Sequence, residues 1–251
     1  MDEVPLDWLR AVYAEWERGN FGAGADRLDA DFRFSVTEDF PEPARDLDVD
    51  GVRGFWTRFL GQWTSVRIHA DEIVPAGDRA LVAVTQTGVG RTSGAETDMR
   101  YFLVWRFRDG RALALNGYLS EGEAHAEQLH GVYDAWARSE FDVGEDLFAP
   151  EIEFVTSEGW PDTPTPGTGP SGIERWRDLF LSSFQDLRVE AEDLAGNGER
   201  VLAHVRQRGT FRATGIPTDV RYWQAWWFRG GVVVRFQAFE HEADARSAVG
   251  L

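Results

Sequence analysis

The chain carries the same pattern twice, the second copy displaced by 120 to 121 residues, and this repeat limits the folds open to it. Tyr13-Ala14-Glu15-Trp16-Glu17-Arg18 returns as Tyr133-Asp134-Ala135-Trp136-Ala137-Arg138, and Phe34 to Pro41 returns as Phe154 to Pro161. After a one-residue insertion, Phe55, Phe59 and Trp63 recur as Trp176, Phe180 and Phe184. Thr97-Asp98-Met99-Arg100-Tyr101, followed by Trp105 and Phe107, becomes Thr218-Asp219-Val220-Arg221-Tyr222, followed by Trp226 and Phe228. A period this long is too large for a solenoid unit and fits a whole domain. The expected domains are residues 1–121 and 122–251.

Within each copy the periodicity changes from helical to extended. Leu6, Leu9, Val12, Tyr13 and Trp16 fall on one helical face, with a twin over about residues 123–138. A shorter helix over Phe21 to Leu28, a strand over Asp31 to Thr37 and a Pro-rich loop over 41–50 (161–170 in the second copy) follow. Gly51 to Trp63 reads as helix. Four strands are expected at about 66–74, 79–88, 97–108 and 112–119, punctuated by turns such as Arg108-Asp109-Gly110. Between the copies, Ser120 and Glu123 have the spacing of a capping box that opens the next helix. Helices followed by a strand meander predict an α+β layout with helices on one face of a curved antiparallel sheet.

Composition removes several chemistries. There is no Cys, all 26 basic residues are Arg, and the formal charge is -17. Disulfides, thiolate and lysine nucleophiles, Schiff bases and a Walker-type loop are therefore absent, and nucleic acid or an anionic membrane would be repelled. His69, His125, His130, His204 and His241 lack metal-ligand spacing, so no metal or other cofactor is expected. The acidic N-terminus does not read as a secretory signal and no apolar run suits a membrane span, so the expected location is the cytoplasm.

The helix bearing Tyr13 or Tyr133, the DFRF/EIEF strand, the GVRGFW/GIERWR helix, the GDR/GER turn and the closing WRFRDGR/WWFRGGV pair together resemble the nuclear transport factor 2-like superfamily. The likeness is to its bacterial SnoaL-like branch, with ketosteroid isomerase and polyketide cyclase relatives. The resemblance implies two tandem cone-shaped α+β barrel domains, each with a pocket, packed sheet to sheet as an internal pseudo-dimer. It also implies a small, largely apolar ligand. Isomerases, cyclases, epoxide hydrolases and non-catalytic binders share this fold, so fold alone leaves function open.

In ketosteroid isomerase relatives a Tyr on the first helix works with two carboxylates. Here the Tyr positions are kept, but Leu103 and Gln224 stand at the strand acid and Val36 and Thr156 near the base, so that mechanism does not carry over. Strand alternation assigns Met99, Tyr101, Leu103, Trp105 and Phe107 to the pocket face, with Tyr222, Gln224 and Trp226 in the second copy. Leu113, Leu115 and Leu119 are expected to line the first cavity beside them. The ligand-binding candidates are Tyr13, Trp16, Gln86, Tyr101 and Leu103 in the first copy, and Trp136, Thr156, Gln207, Tyr222 and Trp226 in the second. Glu240 replaces Leu119 and falls in the last-strand region where SnoaL-like cyclases carry an acidic base, which makes it the candidate base, with Tyr133 and Gln224 polarising a carbonyl or enolate. The competing reading is a binding or scaffold protein without turnover. Glu38 and Glu158, in a shared Glu-x-aromatic-Pro motif, read as loop residues. The Asp98/Arg100 and Asp219/Arg221 pairs read as inter-domain salt bridges rather than as an epoxide-hydrolase site.

Overall fold

Helix α1 (Leu6–Glu17) forms where the spacing places it and buries Leu9, Val12, Tyr13 and Trp16. The short helix expected over Phe21 to Leu28 is instead a turn ending in a 3-10 segment, Ala25–Arg27. The reason is Gly24, at φ +93°, where an added Cβ would lie 3.1 Å from Val12 Cγ2. Helical φ is negative, so the chain cannot run through this position as α-helix. Gly144 repeats the arrangement at φ +94°, against Val132.

The computed structural model describes residues 4–155 and 177–251. By contacts the chain divides into two units, Met1–Ala124 and His125–Leu251. In the first, β1 (Leu28–Val36) is followed by β2 (Ala44–Leu47), a short strand inside the segment expected to be loop. Val36 pairs with Ala44 and Phe34 with Leu47. Helix α2 (Val49–Gly61) is capped by Asp48, whose carboxylate accepts the Gly51 N–H at 2.8 Å. Strands β3 (Trp63–Ala76), β4 (Arg79–Gly90), β5 (Glu96–Arg108) and β6 (Arg111–Tyr118) complete a sheet of order β2-β1-β6-β5-β4-β3.

This order corrects two expectations. The sheet is mixed rather than antiparallel, because β1 runs parallel to β6, with Phe34 beside Leu115. A long connection containing α2 and four strands, β2 to β5, separates the two, and this lets them meet in parallel. The sheet is also open, with β2 and β3 at its edges, and so is not a closed barrel.

The second unit repeats the scheme. Helix α3 (Glu121–Trp136) starts with the Glu123 N–H reaching the Ser120 hydroxyl at 3.4 Å. After β7 (Phe148–Val155), the description resumes with helix α4 at 177–182. Strands β8 (Phe184–Asn197), β9 (Arg200–Phe211), β10 (Pro217–Arg229) and β11 (Val232–Phe239) give the order β7-β11-β10-β9-β8, with β7 parallel to β11. Both long first strands of the meanders shift register at equivalent points, Ala70/Glu72 and Ala191/Asp193. A bulge at such a point adds local twist and bends the strand.

The main core of the first unit lies between one sheet face and α1 and α2, around Trp16, Phe34, Phe55 and Trp105. The opposite face is also apolar: Leu81, Ala83, Phe102 and Val104 pack with Ala124. In the second unit the equivalent residues Leu202 and Ala225 lie under Ala245 and Val249 of α5 (Glu242–Val249). Of the charged residues expected to bridge the domains, Asp219 binds Arg206 and Arg221 binds Glu192, both within the second unit, while Arg100 rests over the Phe102 ring.

Candidate functional site

Alternation along β5 sends Met99, Tyr101 and Leu103 into a cavity of about 190 Å³ between the sheet and α2. Farther along the same face, Trp105 and Phe107 meet α1, where Trp8 stands edge-on to both rings. The walls are largely aromatic, with Phe34, Phe55, Trp56, Phe59 and Trp63 from β1, α2 and the start of β3. The polar groups are few. Gln86 Oε1 accepts the Tyr101 hydroxyl at 3.3 Å, and Glu42 is one of the lining residues, beside Phe40 and Pro41.

Glu42 is held from the C-terminal end of α2 and its cap residue. Arg58 Nε donates to one carboxylate oxygen at 3.2 Å and Gln62 Nε2 to the other at 3.0 Å. Its side chain is 28% exposed, so the group is neither free in water nor sealed off.

The second unit has its own cavity, of about 170 Å³, lined among the described residues by Trp136, Phe148, Phe154, Tyr222, Trp226 and Phe236, with other apolar groups. Here Trp56 of the first copy is replaced by Arg177, which lines the wall and pairs with Glu145. Gln224 also lines this cavity, in place of Leu103, and changes the hydrogen bonding behind it.

In the second unit the buried polar groups form one chain. Trp226 Nε1 donates to the Tyr133 hydroxyl (2.9 Å), which donates to Gln224 Oε1 (2.5 Å). Gln224 Nε2 donates to the Tyr222 hydroxyl (3.0 Å), which donates to Gln207 Oε1 (3.1 Å). Each tyrosine proton is thus committed to a neighbour. In the first unit the chain is split: Trp105 donates to Tyr13 at 2.9 Å, Tyr101 donates to Gln86, and Leu103 stands between the pairs. Burial pushes all four tyrosine hydroxyls up from the ordinary phenol value, most strongly Tyr13 and Tyr133. They remain neutral near pH 7 and act as hydrogen-bonding groups, not as phenolate bases.

The pairing of two similar domains, each with an aromatic cavity under its helices, agrees with a comparison against protein families, in which the SnoaL-like domain matches residues 9–114 and again 129–236. The chain belongs to the SnoaL-like family. A search of curated proteins returned no match. Among solved structures, an NTF2-like protein of unknown function from Burkholderia pseudomallei is 21% identical, covering 45% of this chain and 88% of its own, with a TM-score of 0.41. IdmH, a candidate polyketide cyclase from Streptomyces antibioticus, is 19% identical over 51% of this chain and 99% of its own, with a TM-score of 0.40. A candidate SnoaL-like polyketide cyclase from Jannaschia sp. CCS1 is 13% identical over 47% of this chain and 90% of its own, with a TM-score of 0.39.

Within these SnoaL-like domains the residues singled out from sequence divide into three groups. Tyr101, Leu103 and Gln86 line the first cavity, and Trp136, Tyr222, Gln224 and Trp226 line the second. Tyr13, Trp16, Tyr133 and Gln207 are buried one layer behind, where Trp16 packs on Trp56 and Trp105. Thr156 and Glu158 lie outside the described residues.

The third group is a correction. Strand β11 ends at Phe239, and Glu240 follows it as an exposed residue outside the cavity lining. Alternation assigned it to the cavity side, but alternation holds only while the strand continues. Leu113 and Leu119 likewise stand outside the first cavity, and Leu119 packs on the core. Glu38 is exposed, whereas Glu42, four residues on, was not singled out from sequence. A Glu in a Pro-rich loop carries no face, so only the fold of that loop over α2 could reveal it. Among the described residues no group of three or more His, Asp or Glu could hold a metal ion, and no helix is long and apolar enough to cross a membrane.

Proposed function

We propose that this protein binds a small, largely apolar metabolite in its SnoaL-like domains, and that binding rather than turnover is its principal activity. The observation that carries this reading is the aromatic cavity in each domain, concave and largely apolar with a few placed polar groups, as small-molecule sites are built. The polyketide cyclase names of IdmH and the Jannaschia protein suggest a ring-bearing ligand.

Proton-transfer isomerisation or cyclisation in the second domain is the competing reading, and it needs a base inside that cavity. With Glu240 exposed, the ionisable groups lining it among the described residues are Arg177, Glu145 and Tyr222. The first two neutralise each other and the third is held neutral by burial. These features favour binding. Native mass spectrometry of freshly purified protein tests it: a co-purifying organic molecule, lost on mild denaturation, is the expected result. Stripped protein that takes up no apolar ring compound at millimolar concentration would defeat it.

A further inference from the structure

We propose that the first-domain cavity selects ligands bearing a neutral O–H donor, an alcohol or phenol, at one end, and that Glu42 is the group that recognises it. This rests on the ligand-binding reading above and adds the chemistry of one end of the ligand. Among the described residues lining this cavity Glu42 is the only charged one; the rest of that wall is mostly aromatic and aliphatic.

The hydrogen-bond count at the carboxylate favours a donor. A carboxylate offers about four lone-pair positions on two oxygens. Arg58 takes one oxygen once and Gln62 takes the other once, so each oxygen keeps acceptor capacity. Arg58 belongs to α2 and Gln62 is its C-cap residue, so the end of this helix holds the group in place before any ligand arrives, and a preorganised acceptor loses little entropy on binding. Of the cavity's other polar groups, Gln86 Oε1 already accepts from Tyr101 and the Thr97 hydroxyl donates to the Gly88 carbonyl at 3.4 Å.

Charge decides between kinds of donor. The Arg58 guanidinium next to Glu42 offsets its negative charge, so an ammonium ligand gains less there than at an unpaired carboxylate, while an ionised carboxylate ligand has no proton to donate. A neutral O–H keeps the charge-assisted hydrogen bond without displacing Arg58. The ligand class is therefore a flat apolar body with a hydroxyl at the Glu42 end. In the second cavity the charged groups of the described wall are Arg177 and Glu145, paired with each other, so the preference belongs to the first domain.

Calorimetric titration of the intact chain at neutral pH with 2-naphthol and with 2-methoxynaphthalene tests this, since the two differ in the donor. The expected result is one site that prefers 2-naphthol by about tenfold, the effect of a charge-assisted hydrogen bond reduced by partial solvent exposure. Glu42→Leu should bring that ratio to about one and leave the affinity for 2-methoxynaphthalene within about twofold of the native value. Glu42→Gln, which keeps the side-chain volume, should give an intermediate ratio and serves if the Leu variant does not fold. Equal binding of the two compounds by the native chain, or a preference that survives both substitutions, overturns the role of Glu42 and leaves the ligand-binding reading standing. Failure of both compounds to bind overturns both.

Discussion

The two domains share a fold and differ at one buried position with wide effect: Leu103 in the first, Gln224 in the second. Gln224 joins Trp226, Tyr133, Tyr222 and Gln207 into a single chain of hydrogen bonds. Leu103 leaves two separate pairs. A second difference is at the walls, where the first domain presents Glu42 clamped by α2 and the second presents Arg177 paired with Glu145. Duplication preserved the tyrosines and tryptophans that position the helices, while the groups facing each cavity diverged. A tyrosine on the first helix is thus mainly a structural tie between helix and sheet in both copies, and what distinguishes them lies one layer closer to the ligand.

The largest expected effect comes from breaking the longer chain. Tyr133→Phe strands the Trp226 N–H and the Gln224 carbonyl together, and at about 1–3 kcal/mol for each unsatisfied buried group it should destabilise the second domain by about 3 kcal/mol. Tyr13→Phe strands only the Trp105 N–H and should cost about 1–2 kcal/mol on the same scale. Hydrogen exchange read separately on β10 and β5 measures each. Equal losses in the two domains would show that the chain in the second is not a connected unit.

Exchanging the distinguishing residues is a finer probe. Gln224→Leu should split the chain as in the first domain and cost about 1 kcal/mol, since Tyr133 keeps its bond from Trp226. Leu103→Gln should come within about 1 kcal/mol of neutral, because the Tyr13 hydroxyl gives the new carbonyl a donor while a buried apolar contact is lost. Denaturant melts followed by hydrogen exchange decide this, and a loss above about 3 kcal/mol for Leu103→Gln would mean that the first cavity cannot form the second domain's network.

The smallest expected effect is on acid stability, where the domains use different ion pairs. In the first, the Asp31 backbone N–H and then the Arg108 guanidinium hold the Asp29 carboxyl below its usual range. In the second, Arg221 lowers Glu192 and Arg206 lowers Asp219. A carboxylate whose folded value is depressed contributes stability above its unfolded value, near pH 4, and loses it as pH falls through the folded value. Melting temperature should be flat from pH 6 to 8 and fall below about pH 4. Asp29→Asn should flatten the acid limb of the first domain alone.

The sequence by itself determined the duplication and the order and faces of the long elements. Helices α1 and α2 and strands β3 to β6, with their counterparts, follow from periodicities of 3.6 and 2 that local burial imposes. It also brought Gln86, Tyr101, Leu103, Gln224 and Tyr222 to the cavity face, because those residues sit mid-strand where alternation is regular. Tertiary structure decided the rest, and each case involves chain ends or long-range pairing. The parallel contact of β1 with β6 joins segments about eighty residues apart, and no local pattern encodes it. Glu240 left the cavity because β11 stopped one residue earlier, and Glu42 entered a wall because its loop folds over Arg58 of α2 and Gln62 at its C-cap. A side chain in a loop has no periodicity to fix its direction, so its partners exist only after the distant elements have packed.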